Sequence, residues 1–207
     1  MAAIIFDFDG TIADSFETLV GIFHDLTSRE RHLSPEAIER LRGMPLHSAA
    51  GELGIRPWRM PFLVMRGRRR IGKKIGQIKA HPGVSDAIRR LHAEGHQLFI
   101  MSSNSEKNIS TFLKQHHISK EFVRIYGSVG LLSKARVLRK IRRQNRLGSD
   151  TCWYIGDEVR DIEGARLAGI RMIAVTWGFN TAKLLEAHKP TATADKPEDL
   201  IRILEEL

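Results

Sequence analysis

Four short apolar runs, each ending in small or polar residues and separated by helix-period segments, constrain this chain more than any other feature. Ala-Ile-Ile-Phe-Asp-Phe at 3–8 breaks at Asp9-Gly10, and Gln97–Met101 ends in Ser102-Ser103-Asn104-Ser105. Thr151–Ile155 ends in Gly156-Asp157, and Met172–Val175 ends in Thr176-Trp177-Gly178. Such runs read as buried strands entering turns. Between them, Val84–Glu94 puts Ile88 and Leu91 on one face, and Lys134–Gln144 does the same with Leu138 and Ile141; Lys107–Gln115 and Asp161–Ala168 are also helical in period. Strands alternating with helices predict an α/β fold with a doubly wound parallel sheet.

One stretch breaks the alternation. From about Phe16 to Lys79 the pattern is helical throughout, interrupted at Ser34-Pro35, Met44-Pro45 and Arg56-Pro57. Ser34 before Pro35 and Glu36 combines an N-cap, a first-turn proline and a charge favoured by the helix dipole, so a new helix is expected there. The turn-rich His81-Pro82-Gly83 returns the chain to the alternating pattern. The expected division is a core of residues 1–14 and 81–207 with a helical cap at 15–80.

At 207 residues the chain can bury a substantial core without covalent staples. Cys152 is the single cysteine, which excludes an intramolecular disulfide and argues against a cysteine-based metal site. The N-terminus shows no basic leader or apolar export segment, and no later stretch approaches the ~18 apolar residues of a membrane helix. A reducing cytoplasm is therefore the expected compartment. The net charge of +9 favours anionic partners without naming them.

The chemically loaded residues lie where the strands end, and in open parallel sheets ligands bind beyond the carboxyl ends of the strands. Asp7 and Asp9 alternate onto the same side of the first strand. Like charges ~4 Å apart repel by about 4 kcal/mol at an effective dielectric of about 20, so a cation must bind there or one carboxylate must keep a proton. Oxygen donors of this kind suit magnesium, and Gly156-Asp157-Glu158-Val159-Arg160-Asp161 supplies further acids. An N-cap pair would account for Asp157 and Asp161 equally well. Ser102-Ser103-Asn104 brings hydroxyls and backbone N–H groups to the start of a helix, either as a phosphate cradle or as a helix cap. Lys134 opens a helix, where a cation opposes the dipole unless an anion offsets it.

Together these pieces resemble the haloacid dehalogenase superfamily, in particular its phosphoglycolate-phosphatase-like branch with a helical cap after the first strand. Asp7, Asp9 and Thr11 match the Asp-x-Asp-x-Thr motif, Ser102 the second motif, Lys134 the third, and Asp157 with Asp161 the fourth. Ala168-Gly169-Ile170 and Val175-Thr-Trp-Gly-Phe-Asn180 are also similar to that branch. The third motif departs from it, since Ser133-Lys134-Ala135-Arg136 stands where Lys-Pro-x-Pro is usual, which keeps Lys107 as the alternative lysine.

The resemblance implies a magnesium-dependent phosphatase acting on a small anionic phosphorylated substrate. Asp7 would be the nucleophile and Asp9 the acid and base. Asp7, Asp157 and Asp9, through its backbone carbonyl, would hold Mg2+, with Asp161, or less favourably Glu158, supporting it. Thr11, Ser102, Ser103 and Lys134 would serve the phosphate. Phosphoglycolate leads among substrates, ahead of sugar phosphates, nucleoside monophosphates and pyrophosphate. Because Asp9 is present, ester hydrolysis is expected over carbon–halogen cleavage. The hinges would lie near Ala13–Ser15 and Lys79–Gly83. A phosphomutase of the same superfamily is the first alternative, and a basic nucleic-acid-binding protein with a vestigial site the second.

Arg136, Arg139, Lys140, Arg142, Arg143 and Arg146 read better as the solvated face of an amphipathic helix than as a nucleic-acid surface. In the helical region, one of Arg69, Arg70, Lys73 or Lys74 is expected to meet an anionic leaving group. The sequence leaves a homodimer open.

Overall fold

The computed structural model describes residues 1–27, 33–130, 133–148 and 150–206. Six parallel strands form one sheet: β1 (Ala3–Phe6), β2 (Gln97–Met101), β3 (Phe122–Tyr126), β4 (Cys152–Gly156), β5 (Arg171–Val175) and β6 (Ala192–Ala194), in the order β3-β2-β1-β4-β5-β6. The four strands expected from sequence sit at the centre. β3 and β6 are the sheet's edges and carry weak signals for that reason. In β3, Val123 is 62% exposed and Arg124 faces solvent, and β6 is three residues long.

Alternation along each strand sorts the core into two layers. Ile4, Phe6, Ile100, Ile155 and Ile173 pack on one face against α5 (Val84–Ala93), α6 (Glu106–Gln115) and α10 (Asp199–Glu206). Ile5, Phe99, Met101, Tyr154 and Met172 pack on the other against α7 (Lys134–Gln144) and α8 (Val159–Ala168), while α9 (Ala182–Ala187) adds Leu185. Helices on both faces of a parallel sheet give the Rossmann-like architecture. Leu138 and Ile141 of α7 are buried, whereas Arg136, Arg139, Lys140 and Arg143 are exposed. Arg139 donates to the Leu167 carbonyl at 2.8 Å and Arg142 to that of Gly169 at 3.4 Å, so part of this basic face serves the C-terminal end of α8. Burial pushes the Cys152 thiol up to about 11, which leaves it inert at neutral pH.

Between β1 and α5 lie α1 (Phe16–Thr27), α2 (Pro35–Arg42), α3 (Leu46–Glu52) and α4 (Met60–Lys74), with no strand among the described residues. Ser34 caps α2, its hydroxyl accepting from the Ala37 N–H at 3.2 Å with Pro35 in the first turn. The outgoing and returning chains run side by side. Asp14 N–H donates to the Lys79 carbonyl at 2.9 Å, and His81 N–H to the Ile12 carbonyl at 3.0 Å. No helix of the described residues is long and apolar enough to cross a membrane.

Ile4 is fully buried in β1 between β2 and β4. Ile4→Ala is expected to lower stability by about 2–5 kcal/mol, measured as a lower urea midpoint at unchanged slope. An unchanged midpoint would mean that β1 is not the centre of the cooperative unit.

Candidate active site

The strand order reverses at β1, so the carboxyl ends of β1 and β4 share one crevice. Asp7 stands there, held against β4 by its backbone N–H, which donates to the Ile155 carbonyl at 2.8 Å. Its Oδ1 accepts from the Phe8 N–H at 2.7 Å and its Oδ2 from Lys134 Nζ at 2.6 Å. Lys134 also bonds Asp161 Oδ1 and lies 3.3 Å from the Tyr154 hydroxyl. One buried ammonium thus joins β1, α7 and α8. The close approach of α7 and α8 relies on Gly164, where an added Cβ would come 3.1 Å from the Lys134 Cβ.

Asp9 faces a different set of partners. The chain turns at Gly10, and Asp9 Oδ1 accepts from Ser15 Oγ at 3.0 Å while Asn104 Nδ2 reaches its two oxygens at 3.3 and 3.1 Å. Thr11 Oγ1 donates to Asp157 Oδ1 at 2.6 Å, and the Phe179 N–H donates to Asp157 Oδ2 at 2.7 Å. These approaches depend on missing side chains. A Cβ at Gly10, whose φ is +80°, would fall 2.2 Å from Asp157 Oδ2, and one at Gly178 would fall 2.3 Å from the Asp157 side chain.

Asp161 occupies the third position of α8, where its Oδ2 accepts the Glu158 N–H at 3.0 Å. It is therefore a helix-capping residue as well as a partner of Lys134. Ser102 is buried, and its Oγ accepts the Asn104 N–H at 3.0 Å; the cap of α6 is Ser105, bonded to the Asn108 N–H at 3.2 Å. Ser103 borders the cavity described below. Lys107 is exposed on α6, so of the two candidate lysines Lys134 is the one that meets Asp7.

The electrostatics follow from burial. Burial, the neighbouring Asp7 charge and the opposing bonds from Ser15 and Asn104 leave the Asp9 carboxyl raised to about 7. Burial likewise raises Asp7 against the pull of Lys134, and raises Asp157 well above the carboxylate range with help from Glu158, Asp161 and Asp7. Asp161 moves the other way despite its burial, because Lys134, Arg160 and the Tyr154 hydroxyl, donating at 2.8 Å, hold it ionised. Lys134 is burdened by burial and by Arg160, yet Asp161 and Asp7 keep its pKa raised.

Asp7, Glu158 and Asp161 each bring a buried carboxylate oxygen to within 4.8 Å of the others. Oxygen donors around an excess of buried negative charge fit a hard divalent cation. Glu158, weighed from sequence only as a substitute for Asp161, joins this group, while both oxygens of Asp157 already accept hydrogen bonds beside it. The Asp9 carboxylate is turned to Ser15 and Asn104, which leaves its backbone carbonyl as its donor.

A cavity of about 310 Å³ opens between α1–α4 and this crevice, and Asp9, Ser103, Asn104, Arg160 and Phe179 border it. Sequence reasoning passed over Tyr154, Asn104 as a ligand of Asp9, and Arg160. Tyr154 had looked like one more strand residue, and a polar side chain directed at a carboxylate has no local signature. Of the basic residues proposed in the helical region, Arg69, Lys73 and Lys74 are exposed and Arg70 lies 3.5 Å from Asp25. Arg68, directly before Arg69 in the chain, borders the cavity instead.

Because a metal ion competes with protons for raised carboxyls, magnesium is expected to lift the melting temperature more at about pH 8 than at about pH 5.5; a shift independent of pH would contradict a site built on these acids. Gly178→Ala is expected to cost about 1–3 kcal/mol, and an unchanged melting temperature would show that Asp157 is not locked by the Gly178 backbone.

The haloacid dehalogenase-like hydrolase family model matches residues 4–175. A phosphoglycolate phosphatase of Synechococcus elongatus is 34% identical over 209 residues, spanning 100% of this chain and 99% of that protein. A 5'-nucleotidase of Pseudomonas aeruginosa is 25% identical over 91% of this chain and 88% of its own. Among solved structures, a haloacid dehalogenase-like hydrolase from Streptococcus pneumoniae superposes with a TM-score of 0.79 at 25% identity, covering 98% of each chain. A predicted phosphatase from Clostridium acetobutylicum shares the fold with a TM-score of 0.84 at 21% identity, covering 100% of this chain and 99% of its own. With the motif-bearing acids gathered at the sheet's switch point, the chain belongs to the haloacid dehalogenase-like hydrolase family, as one of its phosphatases.

Proposed function

We propose that the chain is a magnesium-dependent phosphatase that hydrolyses a small phosphate monoester through an aspartyl-phosphate on Asp7, with phosphoglycolate as the leading substrate. The observation that carries this reading is that two acids two residues apart have different partners. Asp7 is held against Lys134 at 2.6 Å, whereas Asp9, bonded to Ser15 and Asn104, borders the cavity with its carboxyl raised to about 7. Burial raises both carboxyls, but only Asp7 has the Lys134 ammonium against it to favour its charged form, and that difference in partners supports Asp7 as the nucleophile and Asp9 as the acid.

In the proposed reaction an Asp7 oxygen attacks phosphorus as the bond to the leaving oxygen breaks, and Asp9 gives its proton to that oxygen. Asp9 then takes a proton from water, whose oxygen attacks the phosphorus of the acyl phosphate, releasing phosphate and restoring Asp7. Lys134 offsets charge on Asp7 throughout, and Ser103, which borders the cavity, would serve the phosphate with Thr11 and Ser102 buried behind it. Magnesium, held by Asp7, Asp161 and Glu158 or Asp157 with the Asp9 carbonyl, would supply neutralisation of the phosphoryl oxygens.

Residues 15–80 serve in this reading as a cap that closes over the site and excludes water, with hinges at 13–15 and 79–83. The hydrogen bond from Ser15 to Asp9 would couple the hinge to the acid. Phosphoglycolate leads because the relative from Synechococcus elongatus, similar over the full length, carries that name.

The test is phosphate release from phosphoglycolate, sugar phosphates and nucleoside monophosphates, with magnesium or with chelator. Asp7→Asn is expected to abolish magnesium-dependent release, and Asp9→Asn to reduce it by about 10²–10⁴-fold. Full activity in Asp7→Asn would refute the covalent route. A bisphosphate requirement with little free phosphate would point to a mutase.

A further inference from the structure

The cavity above Asp9 is walled mainly by aliphatic side chains, including Leu19, Ile38, Leu41 and Leu63. Among the described residues, the charged side chains bordering it are Asp9, Arg42, Arg68, Glu158 and Arg160. Two of the three arginines are already committed. Arg42 donates to the Gly178 carbonyl at 2.8 Å and the Phe179 carbonyl at 3.1 Å, fixing α2 to the loop after β5. Arg160 is held by Glu158 through two hydrogen bonds, so its charge is balanced, although its Nη1 has no partner.

Arg68 differs from both. It gives one bond, from Nη2 to the Val129 carbonyl at 3.1 Å, and its Nε is shut off from solvent with no hydrogen-bond partner. Among the described residues no carboxylate forms an ion pair with it, while Asp9 is the acid whose field reaches it. The Arg68 Nη1 makes no hydrogen bond to any described residue, so a cation with a spare donor and no carboxylate partner borders an apolar cavity. Its position is also built rather than incidental. Asn108 Nδ2 donates to the Arg68 carbonyl at 3.2 Å and to Asn104 Oδ1 at 2.9 Å, while Asn104 Nδ2 bonds Asp9. A chain of three polar contacts therefore links the backbone of Arg68 to the acid facing the cavity. Gly72, one turn on, lets α4 approach, since a Cβ there would come 2.8 Å from Asn108 Oδ1.

We propose that Arg68 selects the leaving group, binding a carboxylate or similar planar anion that the substrate carries on its non-phosphate end. The inference rests on the phosphatase reading and narrows it to phosphate monoesters of anionic leaving groups. A guanidinium offers forked N–H donors that match a carboxylate, and in surroundings of aliphatic side chains such a pair is screened less than in water. With the phosphate served from the sheet side, this places the substrate's second anion on α4. Specificity then lies in the inserted helices and chemistry in the α/β layers.

The experiment compares native enzyme, Arg68→Gln and Arg68→Lys on 2-phosphoglycolate, on its uncharged amide and on p-nitrophenyl phosphate, with magnesium present. The native enzyme is expected to prefer the acid to the amide. Arg68→Gln should lose about tenfold to a hundredfold in kcat/KM on the acid, mostly through KM, and change little on the two uncharged leaving groups. Arg68→Lys should recover part of the loss. No preference for acid over amide in the native enzyme overturns the proposal. Equal losses on all three esters overturn it too, since Arg68 would then serve the phosphate, Asp9 or the fold. Native enzyme inactive on every ester removes the phosphatase reading itself, and this inference with it.

Discussion

The rest of the site depends on a single buried ammonium. Lys134 stands between Asp7 and Asp161, and without it two carboxylates from different elements would face each other out of water. Breaking such a pair by removing one partner typically costs about 3–5 kcal/mol, because the remaining charge stays buried. The arrangement therefore fixes how β1, α7 and α8 meet as well as what they can do. It also explains why Asp161 and Asp7 shift in opposite directions. Asp161 collects the Tyr154 hydroxyl and the Glu158 N–H in addition to Lys134, whereas Asp7 has Lys134 and one backbone N–H. Donors, more than depth, decide which acid stays ionised.

Backbone close approach is the second condition. Gly10 takes a left-handed turn so that the chain after β1 can lie on the Asp157 carboxylate, and Gly178 brings the loop after β5 to the same acid from the other side. Thr11 and the Phe179 N–H then share Asp157 between two loops. Trp177 completes the join, its Nε1 donating to the Thr11 carbonyl at 3.0 Å. A polar bond from one indole edge leaves no trace in the local sequence.

The inserted helices leave and rejoin the α/β layers at one place. Their entry and exit segments pair through an isolated bridge between Ala13 and Ala80, beside Ser15 and its bond to Asp9. The cavity beneath them is mostly apolar, with Arg42, Arg68 and Arg160 set into its wall, and it meets the carboxyl ends of β1 and β2 at Asp9, Ser103 and Asn104.

The sequence by itself determined the central sheet, the helical insertion and the positions of the acids. Buried strands in a parallel sheet must be apolar along their length, and the turns at their carboxyl ends must be polar or small. Ser34 as a cap, and Asp7, Asp9, Lys134, Asp157 and Asp161 as chemically loaded positions, follow from such local rules. The edge strands β3 and β6 did not, because a strand with one neighbour is half solvated and short. Only the tertiary structure decided which lysine reaches Asp7, that Glu158 stands closer to the shared acid cluster than its sequence context implied, and that Arg68 faces the cavity while Arg69, Lys73 and Lys74 face solvent. The physical reason is common to all three. Which side chain meets which depends on the packing of elements far apart in the chain, and a charge's partner at a distance of more than a hundred residues, as between Asp7 and Lys134, is set by that packing and by no local pattern.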